Sequence, residues 1–592
     1  MTFKTLASYI TRIELLSSRL EITKILAELF SKLSPEEFEK TVYLILGRLT
    51  PTYKTVNFQM AEKMVIRAVA KAFQIDKTEF VRRYEVVGDI GEVVHKIKLE
   101  NKSFLSRDIE IIEVYERLLT MAQLGGPGSQ EEKIVHLSSL LQEIDPLSAR
   151  YVIRIPLGIL RLGFSDMTVL DSLSWMKQGD KKLRPILQKA FHVHPDLGLI
   201  GKVLKKDGIS KVNMIEPALF TPIIMMKAER LSSGTEIIEK IGKCSVEPKF
   251  DGFRLQVHKM GDAVRLYTRG LDDVTFMYPD VVEGVRKEVD ADEAILEGEA
   301  IGYDKKENKF LPFQETVQRK RKHGIAAKAL EIPLKLFAFE LLYLNGKNYI
   351  FEPFTKRREE LNNIISSSAK IVDSTVLIAN DELVDDPQIL ESIFEDAIGS
   401  GLEGIIAKKL DGIYEPGARG WNWIKFKRSY SSKIEDTIDC VVMGYDYGKG
   451  KRAEFGIGAF LVGVYDDKTD KFMTIAKIGT GLTDDEWRHL KSISDKLKCT
   501  EKPKNYLVDD IMEVDVWINP EIIVEIKADE ITRSTMHTAG RQMKPSKSGS
   551  SFQVDVPGYA LRFPRLERFR SDKTPGEATN VGELISLHKA QK

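Results

Sequence analysis

The chain is 592 residues long and 43% apolar, with Lys+Arg and Asp+Glu both at 88, so its formal net charge is zero. That length calls for about three or four domains with real cores, and the zero balance gives no support to a globally basic nucleic-acid binder while leaving local patches open. Three scattered cysteines (Cys244, Cys440, Cys499) exclude a disulfide framework and a structural zinc site, and no apolar run approaches the roughly 18 residues that cross a bilayer.

Met1-Thr2-Phe3-Lys4 opens an amphipathic helix rather than a secretory signal. Up to about residue 210 the pattern is helical: Leu15, Leu16, Leu20, Ile25, Leu26, Leu29 and Phe30 recur at helical spacing. Ser34-Pro35-Glu36-Glu37 reads as a helix start, with a cap, a proline at the first helical position and acids in the first turn. Leu124 to Ser129 is a break, and Arg150, Arg154 and Arg161 mark a basic, apolar stretch.

The character changes near Pro217. Strands are expected at Leu255 to His258, Val264 to Thr268, Ala294 to Ile301, Leu334 to Leu344, Gly404 to Lys408 and Trp423 to Lys427, with helices at Thr355 to Ile365 and Asp386 to Ala397. From about Asp436, short strands at Thr437 to Tyr445, Ala459 to Tyr465, Phe472 to Ile478, Val514 to Trp517 and Ile522 to Ala528 suggest a small barrel. Lys544 to Ser550 reads as a polar loop and the last dozen residues as a helix or tail. The expected fold class is multidomain: all-α over 1–215, α+β over 216–432, a β-barrel over 433–575, and a helix or tail over 576–592.

The chemistry starts at Lys249, in Glu247-Pro248-Lys249-Phe250-Asp251-Gly252-Phe253-Arg254. Asp-Gly is a hairpin signal, so Lys249 and Arg254 are expected to converge from its two arms. Burial beside a cation favours a neutral amine, and a neutral amine among cations is a nucleophile suited to phosphate. Further clusters follow. Arg269 ends a strand at a turn, and Glu297 and Glu299 share one face of another. Two carboxylates inside an apolar strand call for a cation or a hydroxyl. Glu403 stands before Gly404 at the start of an apolar strand, Arg419 opens the next, and Lys425 and Lys427 share a face that suits a phosphate chain. Phe339, in an apolar strand, reads as core when taken alone. One domain thus gathers a lysine nucleophile, several cations and two carboxylate positions, a set that fits nucleotidyl transfer with Mg²⁺. Neither a G-x-x-x-x-G-K-[ST] loop nor a G-x-G-x-x-G turn is present.

These clusters, in this order, resemble the covalent nucleotidyltransferases: the ATP-dependent DNA ligases and RNA capping enzymes, and most closely the archaeal and eukaryotic replicative type of ligase. The resemblance covers nearly the whole chain. Ile153 to Gly163 with Thr168-Val169-Leu170 matches the end of the family's helical DNA-binding domain; Lys477 to Thr483 and Arg562-Phe563-Pro564-Arg565 with Asp572-Lys573 match its OB domain. The resemblance implies that ATP and nicked double-stranded DNA are substrates, with Mg²⁺ (or Mn²⁺) as metal. Lys249 would form the lysyl-AMP and Glu247 would read the adenine amino group. Arg254 and Arg269 would hold ribose and phosphate, Glu299 a ribose hydroxyl or the metal, and Glu403 the metal. Phe339 would stack on adenine, against the core reading. Arg419, Lys425 and Lys427 would face the phosphates; Arg562, Arg565 and Lys573 would orient pyrophosphate. The family often has Asp where this chain has Glu297 and Glu340.

The same resemblance implies a monomer that encircles DNA with strongly salt-dependent, sequence-independent contacts, a hinge near Lys433 to Asp436, and work in replication, repair and recombination. The location would be the cytoplasmic nucleoid in a prokaryote or the nucleus in a eukaryote. A sliding clamp stays open as a partner: the place that matches the family's clamp motif reads Asn101-Lys102-Ser103-Phe104-Leu105, without its glutamine. Rival readings are a GTP-using capping enzyme and a non-catalytic nucleic-acid clamp on the same fold. An NAD-dependent ligase is disfavoured, since its usual four-cysteine zinc site needs more cysteines than the three here.

Overall fold

The computed structural model describes the chain apart from residues 17, 55, 101–105, 161, 308, 322, 366–372, 401, 428–436, 449–454, 546–551 and 591–592, and the side chains of 314 and 552. Arg161, the clamp-motif stretch at 101–105, the expected hinge at 433–436 and most of the polar loop after Lys544 therefore lie outside the described residues. Two compact units emerge, Met1–Lys427 and Arg428–Lys592.

Among the described residues, the first unit opens with a run of helices, from Phe3–Glu14 to Ile209–Val212, before its first strand, Lys227–Arg230. The start expected at Ser34 is a full capping box. The Ser34 hydroxyl accepts from the Glu37 amide at 3.2 Å, and Glu37 Oε2 accepts from the Ser34 amide at 2.9 Å, satisfying two otherwise orphaned donors. Helix Pro35–Ile45 then packs on Leu197–Asp207 so closely that Phe38 fills the space over Gly201, where a Cβ would stand 1.8 Å from a ring carbon. Close packing leaves no room for relaxation, so Gly201→Val is expected to destabilise the unit by about 2–3 kcal/mol, read as a lowered thermal midpoint. Arg150 and Arg154 are taken up structurally. Arg150 pairs with Glu14 and Glu92, and Arg154 with Glu14 and Asp89, tying the first helix to the later ones.

Two sheets follow. One runs in the order Lys227–Arg230, Arg419–Lys427, Gly404–Lys409, Cys244–Lys249, Glu382–Val384; the other is built on Ala263–Thr268, Phe253–Met260, Glu293–Asp304 and Leu334–Leu344. The strands expected between Leu255 and Lys427 all form, within a few residues at their ends. The expected hairpin at Asp251-Gly252 does not. Cys244–Lys249 pairs with Gly404–Lys409, and Phe253–Met260 pairs with Glu293–Asp304, so the turn carries the chain from one sheet to the other. The apolar residues on both sides of Asp-Gly find better partners at long range than in each other. At the edge of the second sheet, Glu340 and Arg357 form a wholly buried pair, with Arg357 Nε donating to Glu340 Oε1 at 2.8 Å and Nη2 to Oε2 at 3.0 Å.

The second unit is sheet-rich. Its main sheet pairs Ile438–Asp446 with both Ala459–Asp466 and Ile523–Lys527, the latter in turn with Arg565–Phe569. Cys440, Val442, Val462, Ile475 and Val524 are among its core. Helix Asp484–Asp495 starts on a capping box of Thr483 and Glu486, and Val581–Ala590 is the expected terminal helix. Lys544 and Pro545 belong to strand Gln542–Pro545, paired with Phe552–Val556, so the polar loop expected from Lys544 starts later than the sequence suggests. No helix among the described residues is long and apolar enough to cross a membrane.

Candidate active site

Between the two sheets of the first unit lies a cavity of about 420 Å³. Glu247, Lys249, Arg254, Arg269, Glu299, Phe339, Glu403, Arg419, Lys425 and Lys427 all line it. The register explains how. Lys249 stands opposite Gly404, and Gly404 opposite Lys427, so one row across three strands brings Lys249, Glu403 and Lys427 together. From the facing sheet, Arg254 stands opposite Glu299. Gly404 makes the row possible: its φ is +142° and a Cβ would lie 2.3 Å from the Phe426 carbonyl oxygen, a position that only glycine fills without strain.

The Lys249 ammonium donates to Glu403, and Lys427 Nζ donates to the other oxygen of Glu403 at 2.7 Å. Burial pushes the Glu403 carboxyl up, but Lys249 and Lys427 outweigh it and hold the group below its ordinary range. Glu299 has the opposite balance. Burial lifts it to about 7, against the pull of Lys249 and Arg254. Lys425 is pushed down by burial, helped by the neighbouring charges of Arg419, Lys427 and Lys249.

Arg254 is not the bare cation beside Lys249 that the sequence suggested. It donates to Glu297 and, at 2.8 Å, to the Met226 carbonyl, with its guanidinium 5.3 Å from the Phe339 ring centroid and 5.2 Å from that of Trp423. Glu297 is fully buried and also accepts from Gln256 and from the Tyr414 hydroxyl, each at 3.0 Å. Of the two carboxylates on that strand, Glu299 reaches the cavity and Glu297 serves the frame behind it. Glu340 likewise belongs to its pair with Arg357. Phe339 is half-buried on the cavity wall rather than in the core.

Sequence reasoning passed over Lys408, Arg358, Trp423 and Met226. Lys408 could have been found, since it lies near the end of the same apolar strand that Glu403 precedes. Arg358 is one of several charged residues on a helix and carries no local signal. In the second unit, Arg562 pairs with Glu530, Arg565 with Asp529 at 2.8 Å, and Lys573 with Asp439 at 2.6 Å. Arg565 opens strand Arg565–Phe569 and Lys573 lies beyond its far end.

Two carboxylates beside a lysine and a row of cations form an oxygen-donor set that suits Mg²⁺, which takes one or two carboxylates and completes its shell with phosphate and water. No group of three or more His, Cys, Asp or Glu residues among the described residues could hold a metal by itself.

Three family profiles match the chain: "DNA ligase N terminus" over residues 2–174, "ATP dependent DNA ligase domain" over 225–427 and "ATP dependent DNA ligase C terminal region" over 453–573. A "Probable DNA ligase" of Dictyoglomus thermophilum is 44% identical over 593 residues, covering 100% of this chain and 98% of that protein. "DNA ligase 2" of Thermofilum pendens is 40% identical over 605 residues, covering 100% and 98%. Among solved structures, "Pmar-Lig_PreS3" shares the fold at a TM-score of 0.51 and 17% identity, covering 95% of this chain and 99% of that one.

Proposed function

The chain belongs to the ATP-dependent DNA ligases, and from that premise we propose how its residues seal a nick in duplex DNA. The observation that carries the reading is the convergence of Lys249, two carboxylates and the cations Arg254, Arg269, Arg419, Lys425 and Lys427 on one cavity.

Lys249 Nζ attacks the α-phosphate of ATP, forming a phosphoramide bond as the bond to pyrophosphate breaks. AMP then passes to a 5′-phosphate at the nick; finally the 3′-hydroxyl attacks that phosphate, and AMP leaves. Each step is phosphoryl transfer, so catalysis rests on alignment and charge. In the resting site the Lys249 ammonium donates to Glu403; before attack it gives that proton up, through the carboxylate to solvent, and the amine lone pair is then free. Lys425, Lys427, Arg419 and Arg269 bind the phosphates, Phe339 stacks on adenine, Glu247 accepts from its amino group, and Arg254 is aimed by Glu297. Glu299 and Glu403 would hold Mg²⁺, which would supply charge neutralisation at the transferring phosphate. We assign residues 1–215 to DNA binding, 216–432 to nucleotidyl transfer and 433–575 to an OB-type barrel whose Arg562, Arg565 and Lys573 orient pyrophosphate. In this reading those three exchange their carboxylate partners for pyrophosphate.

The test is incubation with Mg²⁺ and α-labelled ATP or GTP, followed by a denaturing gel. ATP is expected to label the protein. Label from GTP alone would make the site that of a capping enzyme, and no label from either would leave a binding protein.

A pH dependence follows from Glu299. Its folded-state value of about 7 exceeds the ordinary 4.5, so the folded chain holds the proton more tightly than the unfolded one. The stability this contributes is present below pH 4.5 and lost as pH rises through about 7. Function runs the other way, because only the ionised form can hold a cation. Lysyl-AMP formation at limiting Mg²⁺ should rise through about pH 7 in the native protein and be low and flat in Glu299→Gln. An equal rise in both would remove Glu299 from that role.

A further inference from the structure

Behind the cavity, the Glu247 carboxylate is held from two sides. Lys408 Nζ lies 2.9 Å from its Oε1 and 2.8 Å from its Oε2, and also donates to the Phe339 carbonyl at 2.7 Å. Arg358 donates to Oε1 at 3.3 Å through one terminal nitrogen, while the other is fixed by Asp381 at 2.8 Å and by the Ala379 carbonyl. Ser245 holds Asp381 in turn, at 2.6 Å. The Lys408 ammonium sits among three rings, 5.0 Å from the Phe339 centroid and 4.8 Å from those of Phe354 and Trp423. Lys408 is 1% exposed and Glu247 3%, yet both border the cavity.

We propose that Lys408 and Arg358 are positioning residues that fix Glu247 as a bare carboxylate and so make the cavity choose adenine over guanine. The proposal rests on the reading of the cavity as the nucleotide site. At the six-position adenine carries an amino donor and guanine a carbonyl acceptor. An ionised carboxylate only accepts, so it attracts the first and repels the second; a protonated carboxyl can donate to the carbonyl. A carboxylate gripped on two sides cannot turn away from the wrong base, and rejection by an unpaired buried polar group is the strong form of selectivity.

Burial presses the Glu247 carboxyl up and the Lys408 ammonium down, each toward its neutral form. Against that pressure on the carboxyl stand the two cations on either side of it, Lys408 and Arg358, both of which favour the ionised form. The groups that face Glu247 are Lys408 on strand Gly404–Lys409, Arg358 on helix Phe354–Ile364 and Glu340 on strand Leu334–Leu344, the last neutralised by Arg357. Removing Lys408 leaves burial opposed by one cation, and the carboxyl then takes up a proton.

The experiment compares GTP with ATP in lysyl-nucleotide formation at saturating Mg²⁺, over a series of buffers from acid to alkaline pH. In the native protein the GTP-to-ATP ratio should stay low and flat. In Lys408→Met, which keeps chain length and loses charge, the ratio should rise about tenfold or more at the acid end and fall again as pH rises. Arg358→Met should do the same to a smaller degree. Glu247→Gln, whose amide both donates and accepts, should take GTP at every pH. Should neither methionine variant fold, Lys408→Gln and Arg358→Gln take their place and are read in the same way. A ratio that stays low in Glu247→Gln, or that does not change with pH in a folded Lys408→Met, overturns the proposal even while ATP labels the native protein. Failure of ATP to label the native protein would instead remove the reading beneath it.

Discussion

Lys249→Ala is expected to form no covalent adduct with AMP, a loss of about 10⁶-fold, the scale on which removal of a covalent nucleophile is felt. The nearest lysines do not substitute. Lys427 flanks Gly404 on the other side from Lys249 and donates to the other oxygen of Glu403, and Lys425 stands two residues before it on the same strand, so neither takes the place of Lys249 on strand Cys244–Lys249. Lys249→Arg should fail as completely, because a guanidinium stays protonated and offers no lone pair. The measurement is the mass of the protein after incubation with ATP and Mg²⁺. The variant should still join a nick that already carries AMP on its 5′-phosphate, since the last step needs alignment and cations but no lysine attack. Loss of that step as well would mean the substitution had damaged the site at large. An adduct on the variant would place the nucleophile elsewhere.

Arg357→Met is expected to destabilise the first unit by about 3–5 kcal/mol, because it leaves Glu340 as an uncompensated buried charge. Arg357 and Glu340 have fully buried side chains that make two mutual hydrogen bonds, and Arg357 also donates to the carbonyls of Glu352 and Gly412, at 2.6 and 2.9 Å. Those carbonyls lose their donor too. The thermal midpoint should fall by about three to six degrees. Glu340→Met added to Arg357→Met should recover part of the loss, since an apolar pair of similar volume avoids the stranded charge. A double variant as unstable as the single one would show that the two backbone contacts, not the carboxylate, carry the effect.

What could be read from the sequence was what is local in the chain. The helix start at Ser34 is written within four residues, and it forms as expected, with a capping box in addition. The strand carrying Phe339 is expected at Leu334 to Leu344 and forms over those residues, because a stretch of eleven residues broken only by Lys335 and Glu340 has few alternatives. The cavity-lining set could also be named, since each of its charged residues interrupts or flanks an apolar strand, where a charge is expensive without a purpose. What failed was long-range pairing. Asp251-Gly252 looks the same whether its flanking strands pair with each other or with strands far along the chain. Glu297 and Glu299 share a face by alternation, but only the packing of Arg254, Gln256 and Tyr414 separates the framework acid from the one in the cavity. Arg358 meets Glu247 across 111 positions of chain, and no window of sequence holds both. Lys544 and Pro545 read as loop because their composition is polar, whereas their strand is made by pairing with Phe552–Val556.

The most direct test of the central claim is a single-turnover chase. The protein is loaded with α-labelled ATP, freed of unbound nucleotide and mixed with nicked duplex DNA and Mg²⁺. Label should leave the protein, appear transiently on the DNA 5′-end and end as free AMP, with one nick sealed for each adduct lost. Label that stays on the protein, or nicks that close only when fresh ATP is supplied, would contradict a lysyl-AMP route through Lys249.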